Sequence, residues 1–130
     1  MQTDGRNHLK GRRGLARLKN AIRFSAEGYR AAWRDEEAFR QISLLAPVCV
    51  ILALLVGRGW AERVLLILPI VLCLLVELLN SAIENTVDRI SLERHPLAKK
   101  AKDMGSAAQM TAQLFLFCVW GSYLLSRLLP

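Results

Sequence analysis

Glu77, Asn80, Glu84 and Asp88 recur three or four residues apart in ELLNSAIENTVDRI, directly after thirteen apolar residues, Val64 to Val76. At about 100° per residue they fall within roughly 80° of one helix face, a polar stripe on an apolar cylinder. If that helix leaves a bilayer near Ile83, Glu77 lies roughly 9 Å inside it, with Glu84 and Asp88 progressively nearer to water. Carboxylates at such depth cost a few kcal/mol each even on the mildest scale and default to a functional reading. Asn80 and the acids can instead join helices by hydrogen bonds. Three acceptor-only groups on one face suit that role less well, because they repel one another unless a cation intervenes. Hard Mg²⁺ takes oxygen ligands and commonly binds through one or two carboxylates plus nucleotide phosphates. The deepest acid, in the driest place, suits general-base work. A nucleotide arrives from water, whereas a lipid alcohol presents its hydroxyl at headgroup depth. Phosphoryl transfer to a lipid is the chemistry this stripe can perform.

Such a stripe needs a membrane-spanning helix and neighbours to face. The sequence predicts an all-α integral membrane protein, and at 130 residues it is a single domain. Residues 1–14 read as a flexible basic arm, and residues 15–130 as the membrane domain. Leu15, Leu18, Ile22, Ala26, Tyr29 and Trp33 step by three or four, edged by Lys19, Arg23, Arg30 and Arg34. That pattern predicts an amphipathic helix over about 15–35, lying in the membrane interface. Three spans are predicted, over about 38–56, 64–90 and 104–129, each about the 20 residues a bilayer needs or longer. GRGWAER, Gly57 to Arg63, reads as a short turn, and SLERHPLAKKAKD as a polar connection. Pro47 is expected to bend the first span.

The net charge of +7 invites a nucleic-acid reading, but the basic residues flank apolar runs at membrane-span spacing, which points to headgroups. No nucleic-acid partner is expected, and no cleavable signal peptide is visible. Nine Lys and Arg precede the first span through Arg34 and five lie between Arg89 and Lys102, against two in the first connection and one in the tail. The positive-inside bias therefore puts the N-terminus and the second connection in the cytoplasm. Cys49, Cys73 and Cys118 lie one to each apolar stretch without metal-site spacing and read as buried thiols.

Two further groups of polar residues are placed to face the stripe. Glu36 and Glu37 fall where the interfacial helix meets the first span. Lys102, Asp103 and Ser106 fall at the cytoplasmic mouth of the third. Lys102, Ser106, Gln109 and Gln113 share one face, a second polar stripe able to oppose the first. A lysine there can neutralise phosphate charge. The soluble-kinase motifs are missing: no P-loop, no Gly-rich loop followed by a catalytic lysine, no HRD or DFG triplet.

RAAW with EAFRQ (Arg30–Trp33, Glu37–Gln41), ELLNSAIENTVDRI (Glu77–Ile90) and HPLAKKAKDMGSAA (His95–Ala108) closely resemble the prokaryotic membrane diacylglycerol kinase family. The likeness runs from about Arg17 to the end of the third span. It implies a homotrimer of the bacterial inner membrane that transfers the γ-phosphate of ATP to diacylglycerol, a membrane lipid, with Mg²⁺ required. It further implies Glu77 as catalytic base and Glu36 and Glu84 as metal-carrying acids. Nucleotide contacts are implied at Arg17, Phe24, Glu36, Glu84, Glu93, His95, Lys102 and Asp103. Substrate contacts are implied at Arg17, Ala21, Arg30, Trp33, Arg63, Glu77 and Ser106, with Asn80 and Asp88 in the site region. The chain departs from the family at Ile42, where relatives carry an acid, at Ala26, where an aromatic stands, and at Phe24, which replaces a tyrosine. A sister branch phosphorylates undecaprenol and tends to read AKDVAAGA where this chain has AKDMGSAA, which favours diacylglycerol. A small transporter or scaffold, with Glu77 carrying protons, is the non-enzymatic alternative.

Overall fold

The computed structural model describes residues 14–129, so the expected basic arm, Gly14 apart, lies outside the described residues. Four helices follow one another: α1 (Leu15–Asp35), α2 (Glu37–Val56), α3 (Trp60–Ile90) and α4 (Pro96–Leu128). Every regular element among the described residues is helical. The last three are long and apolar enough to cross a membrane. At 1.5 Å per residue α3 and α4 are roughly 46 and 50 Å long, well beyond a bilayer core of about 30 Å.

The break between α1 and α2 is a single extended residue, Glu36 (φ −112°, ψ 110°). Arg40 braces this corner: its Nη1 donates to the carbonyls of Trp33 (3.0 Å) and Arg34 (2.9 Å). Those carbonyls belong to the last turn of α1 and have no partner inside the helix. Tyr29 and the buried Phe39 meet across the corner, ring centres 6.3 Å apart. The apolar stripe of α1 stays exposed at Leu15, Leu18, Ile22 and Trp33, as suits a helix whose apolar face meets something other than its own chain.

The turn into α3 is shorter than expected, because helix begins at Trp60 rather than Val64. Gly59, at φ 143°, takes a backbone conformation that a side chain would strain. Glu62 closes the first turn by accepting the N–H of Arg58 at 2.7 Å. From α4, Tyr123 Oη stands 2.8 Å from both the Val56 carbonyl and Glu62 Oε2. Tyr123→Phe is expected to destabilise the protein by about 1 kcal/mol, read as a lower thermal midpoint in detergent with kcat unchanged.

The larger correction is α4, which starts at Pro96, eight residues before the expected 104. The basic composition of PLAKKAKD resembles a loop, but its local chemistry starts a helix. His95 Nδ1 accepts the Leu97 N–H at 3.2 Å. Pro96 occupies the first turn, where its missing N–H costs nothing. Lys99 and Asp103 pair one turn apart. Only residues 91–95 connect the helices.

α3 is the centre of the bundle, with α4 and α2 packed against it. Its buried face carries Leu66, Pro69, Ile70, Cys73, Glu77 and Ser81. α4 meets it with Gly105, Gln109 and Ala112, small residues among them letting the backbones approach closely. Pro47 and Pro69 lie inside helices. Pro69 cannot bond the carbonyl one turn before it, and beside that break the Leu66 carbonyl accepts the Trp120 indole N–H at 3.1 Å.

Candidate active site

Helix α3 runs unbroken through the polar stripe, so Glu77, Asn80, Glu84 and Asp88 keep the common face that periodicity gives them. Glu77 points inward and is only 5% exposed. One turn toward the C-terminal end of α3, Asn80 Nδ2 donates to Glu84 Oε1 at 3.2 Å. Asp88 Oδ1 accepts from Lys102 Nζ of α4 at 2.6 Å. This pair ties together the ends of the two helices beside their connection.

Glu36 reaches the stripe from the α1–α2 corner. Its Oε1 accepts from Asn85 Nδ2 at 2.9 Å, and the same nitrogen donates to the Ser81 carbonyl at 2.8 Å. The charges of Glu84 and Glu36 both bear on Glu77. Glu36, distant in sequence, thus shares one region with Glu77 and Glu84.

Asn80 is seated by Gly105, where any Cβ would run into the Asn80 side chain. Gly105→Ala is expected to push Asn80 away from Glu84 and to destabilise the fold by about 1–3 kcal/mol. Thermal unfolding alongside initial rates checks this, since both are expected to fall.

Two of the recesses near the stripe gather the implied residues. A polar cleft of about 630 Å³ lies between the end of α3 and the start of α4, lined by Asp88, Glu93, His95, Lys99, Lys102 and Asp103. An apolar groove of about 790 Å³ runs between α1, α2 and α3, lined by Arg30, Trp33, Phe39, Pro47, Leu74, Leu75 and Leu78. The implied nucleotide residues Glu93, His95, Lys102 and Asp103 therefore gather in the polar cleft, and the implied lipid residues Arg30 and Trp33 in the apolar groove. Ser106 is exposed one turn below Lys102.

Other implied residues stand apart. Arg17, Ala21 and Phe24 lie exposed on α1, with the Arg23 guanidinium 5.1 Å from the centre of the Phe24 ring, and they line neither recess. Arg63 is not brought to the stripe. It lies at the other end of α3, roughly 21 Å along the axis from Glu77, where its Nε donates to the Gly57 carbonyl at 3.1 Å. Sequence reasoning assigned nothing to Asn85 or Ser81, which hold Glu36 against α3. Their i, i+4 spacing beside the stripe was the available signal.

No group of three or more His, Cys, Asp or Glu able to hold a metal by itself occurs among the described residues. The donors present are carboxylates, Glu36 and Glu84, each with one oxygen engaged by an asparagine amide. Two hard-oxygen donors completed by phosphate oxygens are a usual set for Mg²⁺, and the residues fit that ion on those terms.

The profile described as prokaryotic diacylglycerol kinase matches residues 23–124. This chain belongs to that family. A diacylglycerol kinase of Pseudomonas aeruginosa is 53% identical over 117 residues, covering 90% of this chain and 95% of that protein. One of Helicobacter pylori is 49% identical over 114 residues, 88% of this chain and 89% of that protein. One of Escherichia coli is 44% identical over 107 residues, 82% and 88% respectively. The diacylglycerol kinase profile takes in the corner at Glu36, the whole polar stripe and both recesses. It begins after Arg17 and Ala21.

Proposed function

We propose that the protein is an ATP-dependent lipid kinase that phosphorylates diacylglycerol, giving phosphatidic acid and ADP. The observation that carries the reading is the position of the acids. A buried carboxylate, Glu77, lies on the helix that borders both a polar cleft and an apolar groove. Membership of the diacylglycerol kinase family supports the same reaction.

In this mechanism ATP enters the polar cleft from the cytoplasm. Lys102, paired with Asp88 at 2.6 Å, turns to the phosphates and offsets their charge as the transition state forms. Glu36 and Glu84 would hold Mg²⁺, which would supply further neutralisation of the phosphate charge. Diacylglycerol lies with its chains in the groove beside Trp33 and Leu75, which brings its hydroxyl to the depth of the stripe. Glu77 removes the hydroxyl proton as the lipid oxygen bonds to the γ-phosphorus. The bond from that phosphorus to the β–γ bridging oxygen breaks, and its electron pair leaves with ADP. Glu77 is left protonated and returns its proton to water after products depart.

The N-terminus and residues 91–95 face the cytoplasm of a bacterial inner membrane, as the charge asymmetry indicates. Three copies assemble, and a neighbouring copy brings Arg17 and Phe24 to the nucleotide and Ala21 to the lipid. The apolar surfaces left exposed on all three long helices are consistent with lipid and partner contact.

Purified protein in mixed micelles with radiolabelled ATP is expected to label diacylglycerol far faster than undecaprenol. The reverse preference would move the assignment to the undecaprenol branch, and no labelled lipid at all would remove the kinase reading.

A further inference from the structure

Gln109 on α4 is buried, 7% exposed, and neither Nε2 nor Oε1 has a hydrogen-bond partner among the described residues. A buried amide so placed is unfavourable, and an apolar side chain of equal size would avoid the loss. Two contacts fix what it faces. Gly105 packs on Asn80, and the Trp120 indole reaches the Leu66 carbonyl. Between them α4 advances fifteen residues while α3 retreats fourteen, an antiparallel register with almost no slip. Gln109, one turn beyond Gly105, is therefore level with the turn that precedes Asn80, which holds Val76 and Glu77. Glu77 is buried too, at 5% exposed. Gly105, Gln109 and Ala112 are the buried positions of α4, and Glu77 and Cys73 are among those of α3. The unpartnered amide and the buried acid thus share one depth and one helix interface.

We infer that Gln109 is a positioning residue for Glu77, its amide, unpartnered in this structure, closing onto the carboxyl group when the lipid is bound and fixing the oxygen that receives the lipid proton. The inference rests on the kinase reading above. An amide serves both states of the reaction. Before transfer, Nε2–H donates to the ionised carboxylate. Afterwards, with the hydroxyl proton on Glu77, Oε1 accepts that O–H. A cationic side chain at this position would pair with Glu77 and weaken it as a base. The charges bearing on Glu77 come instead from acids, Glu84 and Glu36, and the nearest cation of the α4 stripe, Lys102, lies two turns away and is engaged by Asp88.

Gln109→Met keeps the side-chain length and removes the hydrogen bonds. In full-length protein in micelles with Mg²⁺, ATP and diacylglycerol, kcat is expected to fall about 10–100-fold, as when partners behind reacting groups are removed. KM for ATP and for lipid should stay unchanged, and thermal stability should be unchanged or higher. In a Glu77→Gln background the same substitution should bring no further loss, because the amide acts through that acid. Gln109→Asn, with the amide drawn back by one methylene, should give an intermediate kcat. An unchanged kcat for Gln109→Met, or an equal loss in both backgrounds, overturns the inference. So does a Gln109→Met that fails to fold while Gln109→Asn is fully active, which would make the amide a packing group. Failure of the unsubstituted protein to phosphorylate diacylglycerol would overturn the kinase reading itself.

Discussion

Glu77→Gln is expected to lower kcat for diacylglycerol phosphorylation by about 10²–10⁴-fold, the usual contribution of a positioned general base. That corresponds to roughly 3–5 kcal/mol of lost transition-state stabilisation. Glutamine matches glutamate in shape, so the packing of α3 against α4 survives, but the neutral amide cannot take the hydroxyl proton. Nucleotide affinity should change little, because the cleft lined by Asp88, Glu93, His95 and Lys102 begins more than two turns away along α3. Binding of a fluorescent ATP analogue beside initial rates separates the two effects. A variant with near-normal kcat would remove Glu77 from the chemistry.

Glu84→Gln is expected to act through Mg²⁺. The amide oxygen can still accept from Asn80, so the local hydrogen bond at 3.2 Å is retained, while the charge that attracts the ion is lost. The Mg²⁺ concentration for half-maximal rate should rise about 10–100-fold, and saturating Mg²⁺ should restore part of kcat. Glu77→Gln should not recover in the same titration. This contrast assigns the two acids different work although they lie on one helix face. An unaltered Mg²⁺ dependence in Glu84→Gln would leave the metal role of Glu84 without support.

The four helices, the polar stripe and the separation of apolar from basic segments were legible in the sequence. Periodicity and hydropathy are local, and the bilayer requires each span to satisfy its own backbone. Local chemistry is also where composition misleads. The basic run at 91–103 resembles a loop, although His95 and Pro96 carry a helix start that composition conceals.

Everything that turns the stripe into a site depends on neighbours distant in the chain. Sequence alone puts Glu77 on a helix, but only the packing of the other helices on α3 buries it. Nothing local brings Glu36 to Asn85, forty-nine positions on, or shows that Gly105 exists to seat Asn80. Motif likeness carries no depth either, and the structure puts Arg63 at the far end of α3 from the stripe. Periodicity specifies which side of a helix a residue takes, because the helical screw is set by the backbone itself. Which residues of two helices stand level is set by interlocking side chains, and that is why Gln109 comes level with Glu77 only once the chain is folded.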